Sequence, residues 1–243
     1  MAIQTVFERF ELKYMLTLEQ KEQVLRVMEP YMKIDQYGRT TIRNLYYDTD
    51  DYRLIRKSLE RPVYKEKLRV RSYDRATPDS TVFVELKKKF RSTVYKRRLA
   101  LPERNAMDWL SGKGSPEQQN QIAKEIDYVR TFYQTLEPAA FLSYEREAYY
   151  ALDGSDFRIT FDDTILCREI DLSLRSEPWG TPLLEDGRVL MELKCSGGVP
   201  LWLTRFLTQE RIFKTSFSKY GTAYQQLIYP RMQEEANYVQ SAV

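Results

Sequence analysis

The chain has no histidine, only two cysteines and only nine glycines in 243 residues. Each shortage closes off a class of function. Without histidine there is no imidazole general acid or base, no histidine nucleophile and no imidazole metal ligand. Cys167 and Cys195 form no CxxC pair and are too few for a disulfide framework, so no zinc site is expected and a reduced, cytoplasmic setting is. Any metal must then be held by carboxylates, which suit hard cations such as Mg²⁺ or Mn²⁺. Neither GxGxxG nor GxxxxGK followed by Ser or Thr occurs, so a glycine-rich loop does not cradle a bound anion. No apolar run approaches the roughly 20 residues needed to cross a bilayer. The N-terminal MAIQTVFERFELKY lacks the basic-then-apolar order of a secretory signal.

What is present is charge, unevenly spread. Hydrophobic residues make up 42% and charged residues 30%, a soluble globular balance, and the length suits one domain over 1–243 with a peripheral tail after about 230. Net charge is only +3, yet residues 61–104 hold 14 Lys and Arg against 5 Asp and Glu, leaving the remainder at −6. Alternating patterns predict strands at 5–14, 41–48, 65–73, 80–90, 93–101, 140–152, 157–162 and 188–194. Thr17 with Gln20 predicts a capping box, followed by a helix with Leu18, Val24, Leu25 and Met28 at helical spacing, stopped by Pro30. Further helices are expected at 103–111, 117–136, 200–213 and about 220–229. The pattern is α+β, dominated by antiparallel strands.

In the stretch KEKLRVR, Lys65, Lys67, Arg69 and Arg71 recur at every second position, so on a strand they form one cationic row. Like charges side by side repel and do little for folding. The same parity sets Glu11 and Lys13 on one face of the first strand. It does so for Glu85 and Lys87, for Arg158, Thr160 and Asp162, and for Glu192 and Lys194, each row backed by an apolar one. Two readings compete. The rows face solvent, as on any sheet covering a core; or they turn inward, lining a closed barrel of about eight strands with helices packed on its apolar exterior. In the second reading a polyanion must offset the crowded Lys and Arg. Basic walls with a carboxylate-held cation suit a phosphate chain.

RFELKY, LRVRSY, VELKKK, YEREAY, FRITFDD, MELK and FSKYG resemble, in order, motifs of the VTC domain. This is the polyphosphate polymerase domain of the vacuolar transporter chaperone family, within the triphosphate tunnel metalloenzymes. The resemblance spans about residues 5 to 229. The form Arg9-x-Glu11-x-Lys13 departs from the Glu-x-Glu-x-Lys of tunnel hydrolases, which puts a hydrolase-style two-metal site in doubt. The resemblance implies an antiparallel β-barrel tunnel in which the terminal phosphoryl group of ATP moves onto inorganic polyphosphate, with Mn²⁺ or Mg²⁺ as cofactor. Carried over motif by motif, Lys13, Arg69, Arg71, Lys87, Arg146 and Arg158 would line the tunnel and hold phosphates. Glu192 would hold the metal, and Ser218 and Lys219 would contact phosphate. Lys96 and Arg98 are added by parity, and Lys65 and Lys67 are placed at the mouth as guides for the polyanion. Glu11 and Glu85 are either secondary metal ligands or partners of nearby cations.

Trp202, Phe206 and Cys195 are read as core, and Tyr46, Tyr47 and Asp48 as packing and a turn, the alternative being contact with a substrate base. The resemblance also implies that coupling synthesis to translocation would call for a membrane-protein partner. Three rival functions share the same rows: a tunnel triphosphatase or polyphosphatase, a non-catalytic polyphosphate-binding module, and a nucleic-acid binder using 61–104. The last is disfavoured, because the charges alternate with Glu instead of forming an exposed stripe.

Overall fold

The computed structural model describes residues 10–91, 93–116 and 120–241. In chain order its elements begin with β1 (Phe10–Thr17), α1 (Leu18–Met28), β2 (Met32–Asp48), α2 (Arg53–Leu59), β3 (Tyr64–Tyr73), β4 (Thr81–Phe90) and β5 (Thr93–Pro102). There follow α3 (Glu103–Leu110), α4 (Gln121–Tyr133), β6 (Glu137–Ala151), β7 (Arg158–Arg168), β8 (Thr181–Pro182) and β9 (Arg188–Cys195). The chain closes with α5 (Leu201–Gln209), α6 (Lys219–Ala223), a π-turn at Tyr224–Ile228 and α7 (Tyr229–Ser241).

The chain divides into two compact units. The first comprises Met1–Thr41, Tyr144–Ile165 and Leu184–Phe217. The second comprises Ile42–Ser143, Leu166–Leu183 and Ser218–Val243. In the first, β9 pairs antiparallel with β1 on one side and with β7 on the other. In the second, β2, β3, β4 and β5 follow one another as antiparallel neighbours, and β8 pairs with the end of β7.

Period-two alternation does what it predicts within each unit. In the second, Leu68, Val70, Val82, Val84 and Leu86 are fully buried, and α3 and α4 bring Trp109, Ile126 and Val129 into the same core. In the first, Leu16, Ile159, Met191 and Leu193 meet Val24 and Met28 of α1 and Leu203 and Leu207 of α5. Trp202 and Phe206 are partly buried against this core and Cys195 lies within it. Trp202 stacks on Tyr31 with ring centroids 4.7 Å apart.

Several boundaries differ from the sequence expectation. β2 begins nine residues earlier than Thr41, because a polar, half-exposed strand such as 32–40 carries no apolar alternation to find it by. α4 stops at Tyr133, where Gln134 turns to φ 51, a conformation that cannot continue a helix. Leu18 is 56% exposed, so the buried stripe of α1 starts further along. The tail after Pro230 is helical, through Ser241. An i→i+5 bond from the Tyr229 N–H to the Tyr224 carbonyl closes the π-turn before it, and Pro230 comes one residue later. Residues 5–9, including Arg9, and 117–119 lie outside the described residues.

Thr17 forms the expected capping box: its side chain accepts from the Gln20 N–H at 3.1 Å, and its own N–H donates to Gln20 Oε1 at 3.0 Å. Thr17→Ala removes one partner from an orphan helix donor and should lower stability by about 1 kcal/mol, read by urea unfolding.

Candidate functional site

In the second unit the antiparallel register stacks the charged row of β3 on those of β4 and β5. Lys67 stands across from Lys87, which stands across from Lys96; Arg69, Glu85 and Arg98 form the next rung. Directly opposed residues share a face, so the rung gathers two guanidiniums on one carboxylate. Arg69 donates from Nε and Nη2 to Glu85 Oε2 at 2.9 and 2.7 Å. Arg98 Nε donates to Oε1 at 2.7 Å, and Lys96 Nζ lies 2.9 Å from the same oxygen. Glu85 is only 2% exposed. Burial works to raise its carboxyl, but Arg69, Arg71 and Lys96 outweigh that and hold it far below the usual carboxylate range.

The remaining cations of the row are held individually. Arg69 Nη1 donates to Tyr46 Oη at 3.0 Å, and Tyr46 stacks on Tyr220 with centroids 4.6 Å apart. Buried Arg71 donates from Nε to Asn44 Oδ1 at 3.0 Å, and Asn44 in turn donates to the Leu142 carbonyl at 3.2 Å. Lys67 Nζ donates to Ser218 Oγ at 3.1 Å, while that hydroxyl also caps α6 by accepting from the Gly221 N–H at 3.2 Å. Lys219 follows it and is buried. Lys65 Nζ donates to the Ser58 carbonyl at 3.0 Å; burial and the nearby Lys89, Lys87 and Arg61 lower its ammonium pKa. Lys87 is exposed. Lys96 is half-exposed; burial and its cationic neighbours oppose Glu85 and bring it down to about 8.

The first unit builds a second cluster around Glu192 of β9. Lys13 of β1 stands across from it, with Nζ 3.3 Å from Glu192 Oε1, 3.4 Å from Glu11 Oε1 and donating to the Phe217 carbonyl at 2.8 Å. Arg146 of β6 forks onto Asp162 of β7, donating from Nε and Nη2 to the two carboxylate oxygens at 2.6 Å each. Its Nη2 also lies 3.5 Å from Glu192 Oε2, as does Lys194 Nζ. Asp162 is fully buried and Glu192 nearly so. Arg158 is exposed at the start of β7, across from Lys194.

Of the sequence candidates, Lys13, Arg146, Glu192 and Glu11 therefore meet in the first unit. Arg69, Glu85, Lys96 and Arg98 meet in the second, with Arg71 and the Lys67–Ser218 pair on the same strand system. Arg158, Lys87, Lys96, Arg98 and Glu11 are the exposed members. Asn44, Tyr46 and Asp162 hold arginines; the sequence reading does not single out Asn44, and it places Tyr46 in packing and Asp162 only in a polar row. The signal was a polar residue inside an apolar strand run, visible in RNLYYD and FRITFDD. Asp48 is structural: it accepts from the Leu54 and Ile55 N–H groups that open α2 and from Tyr220 Oη.

Among the described residues no group of three or more His, Cys, Asp or Glu could hold a metal ion. Glu192 and Glu11 nevertheless share one lysine, and two carboxylates with phosphate oxygens and water completing the shell is the usual provision for Mg²⁺ or Mn²⁺. Thr160 Oγ1, across from Glu192, is buried and has no hydrogen-bond partner among the described residues. The donor set fits such an ion.

A family model, the VTC domain, matches residues 8–228. The comparison with curated proteins gives no match. A candidate adenylate cyclase from Bacillus halodurans is similar in structure at a TM-score of 0.53 and 15% identity, over 86% of this chain and 92% of its own. A candidate adenylyl cyclase from Hippeastrum, described as having a dominant triphosphatase activity, is similar at 0.51 and 14% identity, over 89% and 95%. At such identities the likeness is one of fold, the antiparallel, tunnel-type α+β fold that the sequence leads one to expect.

Glu85 supplies a test of the cationic rung. Its folded carboxyl titrates below the ordinary value of 4.5, so the unfolded chain takes up the proton first as pH falls. Its contribution is complete above about pH 4.5 and is lost below. Glu85→Gln should flatten that acid limb in urea unfolding, and at neutral pH should cost about 3 kcal/mol by removing the buried charge that Arg69, Arg98 and Lys96 share.

Proposed function

The chain belongs to the VTC domain family, and from that premise we propose that it is a metal-dependent phosphotransferase that lengthens inorganic polyphosphate with the terminal phosphoryl group of ATP. One observation carries the choice of a phosphate acceptor over water. Each carboxylate of the two clusters is engaged by cations: Glu85 by Arg69, Arg98 and Lys96, Asp162 by Arg146, and Glu192 and Glu11 by Lys13. A hydrolase must deprotonate water, and a carboxylate held this way is a poor base. A terminal phosphate is already substantially ionised at neutral pH and asks for no base, which also accords with the absence of histidine.

Phosphoryl transfer depends mainly on positioning and charge stabilisation. Arg69, Arg71 and Arg146 present planar forks that match phosphate oxygens bidentately. Each is already oriented, by Glu85, Asn44 and Asp162 respectively, so little side-chain freedom is lost on binding. Lys13, Lys67 and Lys96 add point charges, and Lys65, Lys87 and Arg158 attract the chain from exposed or half-exposed positions. Ser218 offers a hydroxyl and Lys219 an ammonium beside it. Glu192 with Glu11 would hold Mn²⁺ or Mg²⁺, which when bound would neutralise charge on the transferring phosphate. Glu85, sheathed in cations, serves to orient the arginines.

ATP with Mn²⁺, products resolved by length on a gel, should yield long polyphosphate; free phosphate alone would favour the triphosphatase reading, and no turnover with any divalent ion the binding module. Glu192→Gln should abolish turnover while polyphosphate binding is partly kept, since the basic residues remain. Arg71→Lys keeps the charge but loses the fork, and should slow turnover by about tenfold, roughly 1.4 kcal/mol of transition-state stabilisation.

A further inference from the structure

Thr160 of β7 lies directly across from Glu192 of β9. Directly opposed residues in an antiparallel pair point to one face, with Cβ atoms roughly 4.5–5.5 Å apart. Thr160 is only 6% exposed, and its Oγ1 has no hydrogen-bond partner among the described residues. A buried, unpaired hydroxyl costs about 1–3 kcal/mol, and valine would fill the same space without that cost. Packing therefore gives no reason for a hydroxyl here.

The carboxylate supply around Glu192 gives one. Both oxygens of Asp162 are taken by Arg146, which leaves Glu192 and Glu11 as the acidic donors of the cluster. A hexacoordinate ion accepts further oxygens. We infer that the Thr160 hydroxyl is an additional oxygen donor of the Glu192 metal site, bonded to the divalent ion or to a water on it. The inference rests on the reading that Glu192 holds such an ion. A neutral donor suits this position, because it adds to the coordination shell without cancelling the positive charge that draws in phosphate. A direct bond to phosphate is the alternative, since Lys13, Arg146 and Lys194 also surround Glu192, and pyrophosphate affinity in chelator separates the two.

The test measures Mn²⁺ affinity by water-proton relaxation in the presence of inorganic pyrophosphate, and pyrophosphate affinity separately with a chelator. The variants are Thr160→Val, Thr160→Ser and Glu192→Gln in the full chain, with Thr160→Ala as a second deletion should valine disturb folding. Thr160→Val should bind Mn²⁺ about tenfold or more weakly. Thr160→Ser should stay near the parent, pyrophosphate affinity in chelator should be unchanged, and the urea midpoint of Thr160→Val should be equal or higher. If Thr160→Val and Thr160→Ala hold Mn²⁺ like the parent while Glu192→Gln loses it, the inference is overturned and the metal reading stands. A Glu192→Gln variant that binds Mn²⁺ normally overturns both. A matching loss of pyrophosphate affinity in chelator assigns the hydroxyl to phosphate and overturns the inference.

Discussion

Cations set at every second position of adjoining strands repel one another, and each charged face of this protein is organised around the few buried acids that offset them. Glu85 is the clearest case. It stands on the rung between Arg69 and Arg98, nearly inaccessible to water, and receives both guanidiniums and Lys96. Removing two or more charges from water is costly, and mutual attraction offsets the cost only when the remaining hydrogen bonds are satisfied. Both Glu85 oxygens are satisfied. The second unit still carries more cations along β3, β4 and β5 than this one acid can offset, and burial together with the nearby Lys89, Lys87 and Arg61 lowers the Lys65 pKa. That excess is a standing attraction for a polyanion.

The first unit applies the same device in a different proportion. Asp162 is devoted to one arginine through two parallel hydrogen bonds. Glu192 is shared among Lys13, Arg146 and Lys194 at the longer distances of 3.3 to 3.5 Å. A carboxylate held by a tight fork is committed to that fork, whereas one shared among looser partners can exchange them for a divalent ion. The contrast separates an acid that positions an arginine from an acid that can serve as a ligand, although both lie on strands of the same ladder.

Much of this was legible in the sequence, for a physical reason. Strand parity fixes which side chains share a face, and a face is all that a row of phosphate contacts requires. The rows at 65–71, 85–87 and 192–194, the capping box at Thr17 and the burial of Cys195 follow from local spacing alone. The long polar start of β2 and the helix beyond Pro230 did not, since one has no apolar period and the other depends on a π-turn. Cross-strand register was equally out of reach. Parity could propose Glu85 as a metal ligand, but only the register shows it between Arg69 and Arg98. Thr160 has the same history: FRITFDD marks it as a member of a polar row, and nothing in that string says that Glu192 stands opposite.

Register also explains why the arginines outrank the lysines in the proposed chemistry. Arg69, Arg71 and Arg146 each have a strand neighbour that fixes the guanidinium plane: Glu85, Asn44 and Asp162. A lysine in the same row swings on a four-carbon stem and offers a charge without a direction. If transfer depended on charge alone, lysines would serve throughout and the orienting partners would add nothing. Buried partners for three arginines are costly in desolvation and do little for folding that apolar residues would not do better. They make sense where a phosphate must be held at one angle as well as attracted, which is the requirement of in-line phosphoryl transfer.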